Sequence, residues 1–261
     1  MKSFPLTTLT LLVSTLCITP AHAQRSTGGT PTVAEQYLLA AANQERASLG
    51  LPLLHRNVLL VNAAIQHAQA MAAHASISHQ FPGEAELTAR AADAGVRFSV
   101  VSENVGEAPS AVKIHDMWMH SSDHRTNLLD PAVDSVGISV IARAGELYAV
   151  EDFARTVESL SLEQQESAVA SLVQRQGLSI LATTPDSLSA ARQTCAMSSG
   201  YAGQRKPGFV MRFTSASLNA LPDQLTTRIA SGIFHQASVG ACPDPGSGPF
   251  ASYNIAVLLY P

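Results

Sequence analysis

At Pro131 the hydrophobic pattern of this chain changes period, and that change constrains the fold more than any other feature. From Val33 to Leu129 most apolar residues recur at helical spacing, interrupted by an extended or irregular stretch over 98–107. After Pro131 the run "DSVGISVIARAGELYAVEDFA", residues 134–154, gives two β-rich stretches around Ala144-Gly145, a hairpin signal. Helices closed by a terminal hairpin predict a layered α+β domain that ends near Ala154.

Within the helical part, Val33 to Gly50 carries an apolar stripe and stops at Gly50-Leu51-Pro52. A second helix fits "NVLLVNAAIQHAQAMAAHA" with Asn57 as cap, and Phe81-Pro82-Gly83 then forces a turn. A third suits Glu84 to Ala94 and closes at Gly95. "FSVVSENVGE" is extended or irregular, and Pro109 opens a helix through Met119. Ser122 or Asp123 is placed to cap a short helix "HRTNLL" before Asp130-Pro131.

Beyond the hairpin, Ser161 to Gly177 reads as one more amphipathic helix, a link over 156–179 between two parts. Residues 180–261 hold runs rich in β-branched and aromatic residues between Pro/Gly turns, which predicts a small β-rich module. No internal repeat or low-complexity tract stands out in the sequence.

The first residues bound the compartment. Lys2, the apolar run Leu6 to Ile18 and Ala21-His22-Ala23 make a signal peptide over 1–23, cleaved after Ala23. Residues 24–32 read as a flexible leader. About 240 residues follow the cleavage point, and no later run is apolar enough to span a bilayer, so a secreted or periplasmic protein without a transmembrane segment is expected. Cys17 leaves with the signal; Cys195 and Cys242 remain as an even pair in an oxidising compartment, the composition of a disulfide. The net charge of −4 is mild and Lys and Arg are scattered, which argues against nucleic acid as a partner.

Common catalytic signatures are missing: there is no Gly-x-Ser-x-Gly elbow, His-Glu-x-x-His, P-loop or Gly-x-Gly-x-x-Gly. His120 and His124 have the i,i+4 spacing of a two-histidine ligand face, but Ser121-Ser122-Asp123 between them is a poor helix interior. A helix break there removes the shared face and leaves His120 exposed.

The order "NQERASLGLPLL", "HAQAMAAHASISH", "SENVGE", "WMHSSDHRTNLLDP", "DSVGISV" and "LYAVEDFA" resembles the bacterial branch of the CAP superfamily, the fold of cysteine-rich secretory proteins, antigen 5 and pathogenesis-related proteins, over about 33–154. The resemblance implies a CAP-type α-β-α layered domain over 33–155, followed by the linking helix and the β-rich module. It also implies a cleft in which two histidines meet acidic residues, with a divalent cation such as zinc bound in some members. Matched by motif, the cleft residues are His79, Glu103, Asn104, Ser121 and His124. His79 and His124 would be the metal ligands, with Glu103 acting through water. Ser121 stands where relatives often have a second Glu.

Two neutral imidazoles and a carboxylate make an open metal or ligand site; the same groups also make a structural hydrogen-bonded cluster. Glu151 either supplies the acid missing at Ser121 or lies on the solvent face. Strand alternation groups it with Phe153, which leaves the inward position open alongside the solvent-facing one. His67 and His74 read as partly exposed packing residues, His115 as surface, and Trp118 as core. Asn104 and Arg125 adjoin the proposed site. The function expected is an exported protein whose cleft binds a cation or a small or extended ligand: a small molecule, lipid, peptide or cell-envelope component. Two alternatives remain open: a hydrolase with Ser121 or Ser122 as nucleophile and His124 or His79 as base, and a scaffold for envelope or protein partners.

Overall fold

The computed structural model describes residues 29–181, 185–244 and 248–261. The signal peptide and most of the leader, residues 1–28, lie outside the described residues. Among the described residues no helix is long and apolar enough to cross a membrane.

The first half runs α1 (Val33–Ser48), β1 (His55–Arg56), α2 (Val58–His74), α3 (Leu87–Asp93), β2 (Phe98–Ala108), α4 (Ala111–His120), α5 (Ser122–Leu129), β3 (Ser135–Arg143) and β4 (Glu146–Thr156). Thr32 and Glu35 form a capping box on α1, and Asn57 caps α2 by accepting from Leu59 N and Leu60 N. The hairpin turns at Ala144 (φ 52°) and Gly145 (φ 91°), with Arg143 paired to Glu146. Two positive φ values match the twist of the strands they join.

The strands form one sheet of order β1-β3-β4-β2, with β1 parallel to β3 and the other pairs antiparallel. Leu38, Ile114, Trp118 and Leu128 of α1, α4 and α5 pack on one face against Val136, Ile138, Ala149 and Phe153. On the other face α2 buries Ala64, Ala68 and Met71 against Val105, Tyr148 and Val150. The result is the α-β-α layering expected from the sequence. Arg46 of α1 is fully buried, and its guanidinium donates to the carbonyls of Pro52, Leu128, Asp130 and Val133. Burial lowers its pKa, and the four carbonyls satisfy donors that would otherwise be orphaned.

The second half runs α6 (Leu162–Arg175), β5 (Ser179–Ile180), α7 (Pro185–Ala196), β6 (Phe209–Ser215), α8 (Asp223–Ala230), β7 (Gln236–Cys242) and β8 (Tyr253–Tyr260). Its sheet has order β5-β7-β8-β6, with β5 parallel to β7 and the other pairs antiparallel. The β-rich part expected is present, with a Cys195–Cys242 disulfide, and α7 and α8 are added to it. Residues 225–230, inside the part expected to be β-rich, belong to α8 instead, and Leu225 and Ile229 bury one face of that helix. Besides connecting the halves, α6 packs Val169 and Val173 into the same core.

Apart from α3 and α5, which have no counterpart among the described residues of the second half, the two halves share one order: helix, short edge strand, helix, strand, helix, then two antiparallel strands, in the same strand order. In the first half α2 covers one face and α1, α4 and α5 the other; in the second half α7 covers one face and α6 and α8 the other. The repeat even preserves a tight contact. A Cβ on Gly137 of β3 would overlap the Leu60 and Val61 backbone of α2, and one on Gly240 of β7 would overlap the Ala191 backbone of α7. Each glycine ends a Ser-Val-Gly triplet, at 135–137 and 238–240. The absence of an internal repeat read from the sequence is thus corrected at the level of structure. Two halves can share a topology and one steric requirement while their other residues differ.

Candidate functional site

His79 leaves α2 through Ala75, which takes the left-handed conformation (φ 49°) at the helix C-terminus. The 78–84 segment is fastened by His67, a residue of α2 with no solvent exposure. Its Nε2 donates to Ser78 O at 2.7 Å and its Nδ1 pairs with Glu84 Oε1 at 2.7 Å. Glu84 Oε2 also accepts from Phe81 N at 3.0 Å. The partly exposed packing role read for His67 is therefore corrected: it is the buried hub of the loop that carries His79. Glu84 is in that loop and α3 begins later, at Leu87, because the Glu84 carboxylate is engaged by His67 and Phe81 instead of opening a helix.

Glu103, on β2 at the sheet edge, is 5% exposed. Its Oε1 accepts from His79 Nδ1 at 2.9 Å, and its Oε2 pairs with the guanidinium of Arg90. His67 Nε2 lies 3.8 Å from the same carboxylate. Arg90, on α3, also donates to the carbonyls of His79 and Ala85. The sequence reading missed Arg90 and His67, whose only signal was polar residues on otherwise apolar helix faces. The Glu103 bond raises the pKa of His79, with burial opposing it.

Asn104 is fully buried, donating to His124 O at 3.0 Å and accepting from Asn127 Nδ2 at 3.0 Å; Asn127 also donates to Glu103 O. These amides fasten the start of α5, and so His124, onto β2. The helix does break between His120 and His124: Ser121 is extended (φ −97°, ψ 126°). Its side chain makes no capping bond, so the cap expected of Ser122 or Asp123 is corrected to a turn at Ser121 whose carbonyl accepts from Arg125 N. His120 points to solvent with its side chain 80% exposed. His124 makes no ring hydrogen bond among the described residues. Burial lowers its pKa, and the nearby charge of His79 lowers it further.

A groove of about 320 Å³ is lined by His79, Gln80, Glu86, Leu87, Thr88 and Glu103. Ser121 and His124 lie outside that lining. Neither the Ser121 nor the Ser122 hydroxyl bonds a histidine among the described residues; Ser122 donates to Asp123. Glu151 and Phe153 share a face as alternation requires, and Glu151 is fully buried with both carboxylate oxygens unpaired. Burial pushes its pKa up to about 8. The residue opposite Glu103 across the ladder is Asp152, also fully buried, whose pKa is raised by burial and then by the Glu103 charge. His115, read as surface, is 8% exposed and its pKa is lowered by burial; it faces Tyr37 of α1 edge-on. Helix α4 turns it toward α1, which its position before Trp118 did not reveal.

The residues fit a metal only incompletely. Among the described residues no group of three His, Cys, Asp or Glu side chains is placed to hold an ion. Glu103 is committed to His79 and Arg90, so it would orient His79 from behind, as carboxylates do for metal-bound imidazoles. Two imidazole nitrogens remain for an ion, and external ligands would complete its shell.

An α-β-α sandwich with an edge cleft of histidine and glutamate defines the class of protein. Residues 39–153 match the family model described as CAP, the cysteine-rich secretory protein family, and that part of the chain is a CAP domain. No curated protein matches the chain. Among solved structures, it is similar to an outer surface protein from Borrelia burgdorferi at 17% identity over 47% of this chain and 92% of that one (TM-score 0.45). An extracellular SCP-domain protein from Bacillus anthracis matches at 25% identity over 49% of this chain and 45% of that one (TM-score 0.44). A cysteine-rich secretory protein from Staphylococcus aureus matches at 23% over 47% and 38% (TM-score 0.40). NaASP2, at 13% identity over 49% of this chain and 84% of that one (TM-score 0.36), was solved with Zn2+.

Proposed function

We propose that this is an exported CAP-domain protein whose cleft, centred on His79 with His124 nearby, captures a divalent cation or a small or extended ligand without transforming it. The observation that carries the reading is the 2.9 Å bond from His79 Nδ1 to Glu103, on a side chain that is 63% exposed. With Nδ1 occupied, Nε2 is the atom left for a ligand, and the Arg90–Glu103 pair fixes the ring that presents it. The lack of a histidine partner for the Ser121 and Ser122 hydroxyls among the described residues favours binding over hydrolysis, since a serine nucleophile needs a base within hydrogen-bond reach. Export rests on the signal peptide read over 1–23.

The test is a calorimetric zinc titration of the full-length secreted protein and of His79→Ala and His124→Ala. Binding should be weak, should weaken at least tenfold in each variant, and should fade as pH falls and the imidazoles take up protons. Equal binding by both variants would remove the reading.

A further inference from the structure

The shared strand order gives the edge-strand position of the CAP cleft a counterpart in the second half. Gly137 and Glu103 both pair with Asp152 in the first sheet; Gly240 and Arg212 both pair with Ala256 in the second. Where the first cleft has a carboxylate on its edge strand, the second therefore has a guanidinium. A cavity of about 210 Å³ lies there, lined by Cys195, Arg212, Phe213, Thr214, Asn254 and Ile255.

Arg212 is held in place without being neutralised. Its Nε donates to Thr194 O and its Nη2 to Gly200 O, each at 2.6 Å. Nη1 makes no hydrogen bond among the described residues, and no carboxylate lines the cavity. Asn254 lies two pairs along the same ladder, opposite Thr214. Thr214 Oγ1 donates to Asn254 Oδ1 at 2.7 Å, which fixes the orientation of the amide. That leaves Asn254 Nδ2 as a buried donor with no acceptor. Strand alternation puts Arg212, Thr214 and Asn254 on the face covered by α7.

A fixed cation beside an unmet amide donor, in a cavity without acids, matches an oxyanion, whose oxygens accept from both groups. We propose that the second sandwich carries a small-oxyanion site, for a carboxylate or a phosphate, built on Arg212 and Asn254 and oriented by Thr214. It is independent of the His79 cleft and of opposite charge.

The experiment is calorimetry on the full-length protein at constant ionic strength, titrating inorganic phosphate and, separately, acetate, with chloride as the reference ion. At least one of the two anions should bind saturably; binding by phosphate alone assigns the site to phosphate, and binding by acetate assigns it to carboxylates. Affinity should fall at least tenfold in Arg212→Gln and be unchanged in His79→Ala. Because Arg212→Gln also loses contacts to α7 and can fail to fold, Asn254→Asp provides the second variant. It retains the acceptor for Thr214, leaves Arg212 in place, adds a negative charge to the cavity, and should also abolish binding. The proposal is overturned if neither anion binds, if Asn254→Asp binds like the wild type, or if His79→Ala removes the binding. Arg212 would then serve only to hold the C-terminal end of α7.

Discussion

Glu103 and Asp152 face each other across the β2–β4 ladder, both buried, with the Arg90 guanidinium paired to Glu103. One cation thus shares a small volume with two carboxyl groups, and the Glu103 charge helps hold Asp152 toward its protonated form. The exposed face of this cluster is His79.

Removing Glu103 strands a buried guanidinium, so Glu103→Ala should destabilise the first half by about 3 kcal/mol or more, the usual effect of breaking a buried pair from one side. Urea unfolding followed by the fluorescence of Trp118, the chain's single tryptophan and a core residue of this half, measures it. A loss under about 1 kcal/mol would mean that water compensates Arg90 in the cluster.

Glu151 gives a pH dependence whose sign is fixed. Its carboxyl titrates at about 8 in the fold and at an ordinary 4.5 when unfolded. The fold therefore prefers the protonated acid: its stabilising contribution is full below pH 4.5, is lost as pH rises toward 8, and changes little above that. Each unit of displacement corresponds to roughly 1.4 kcal/mol. Glu151→Gln should thus gain stability over the wild type progressively between pH 4.5 and 8, read as a rising difference in thermal midpoints. A difference independent of pH would show that Glu151 is solvated.

Gly137→Ala and Gly240→Ala test the shared helix-on-strand contact. Because the new methyl meets backbone in each case, neither site can relax by a rotamer change, and each substitution should cost roughly 3 kcal/mol or more. Trp118 fluorescence should report the Gly137 variant and be nearly silent to the Gly240 variant. Hydrogen exchange of β7 and β8 should show the reverse, and two mild effects would mean that α2 and α7 move off their sheets easily.

The Cys195–Cys242 bridge closes a span of 47 residues. Replacing both cysteines by alanine should cost roughly 4 kcal/mol on the chain-entropy model, with the loss confined to the second half. Hydrogen exchange at β7 and α7 would register it, and unchanged protection there would show that the bridge adds nothing to a sheet already held by its core.

What the sequence determined by itself was local. The Gly and Pro stops, the Asn57 cap, the Ala144-Gly145 hairpin and the break before His124 each depend on residues a few positions apart, where backbone sterics and short side-chain bonds act without help from the rest of the chain. The ordered motifs located the CAP domain for the same reason. Which carboxylate stands opposite Glu103 was decided by strand register, and it is Asp152, while Glu151 turns to the other face. His67 and Arg90 became parts of the cleft because α2 and α3 pack beside β2, a relation between segments that no local pattern encodes. The second sandwich stayed hidden because repeating a topology needs only a similar arrangement of apolar faces and a glycine where helix and strand touch. Many sequences meet those requirements, so the likeness of the two halves emerged only when their strands paired.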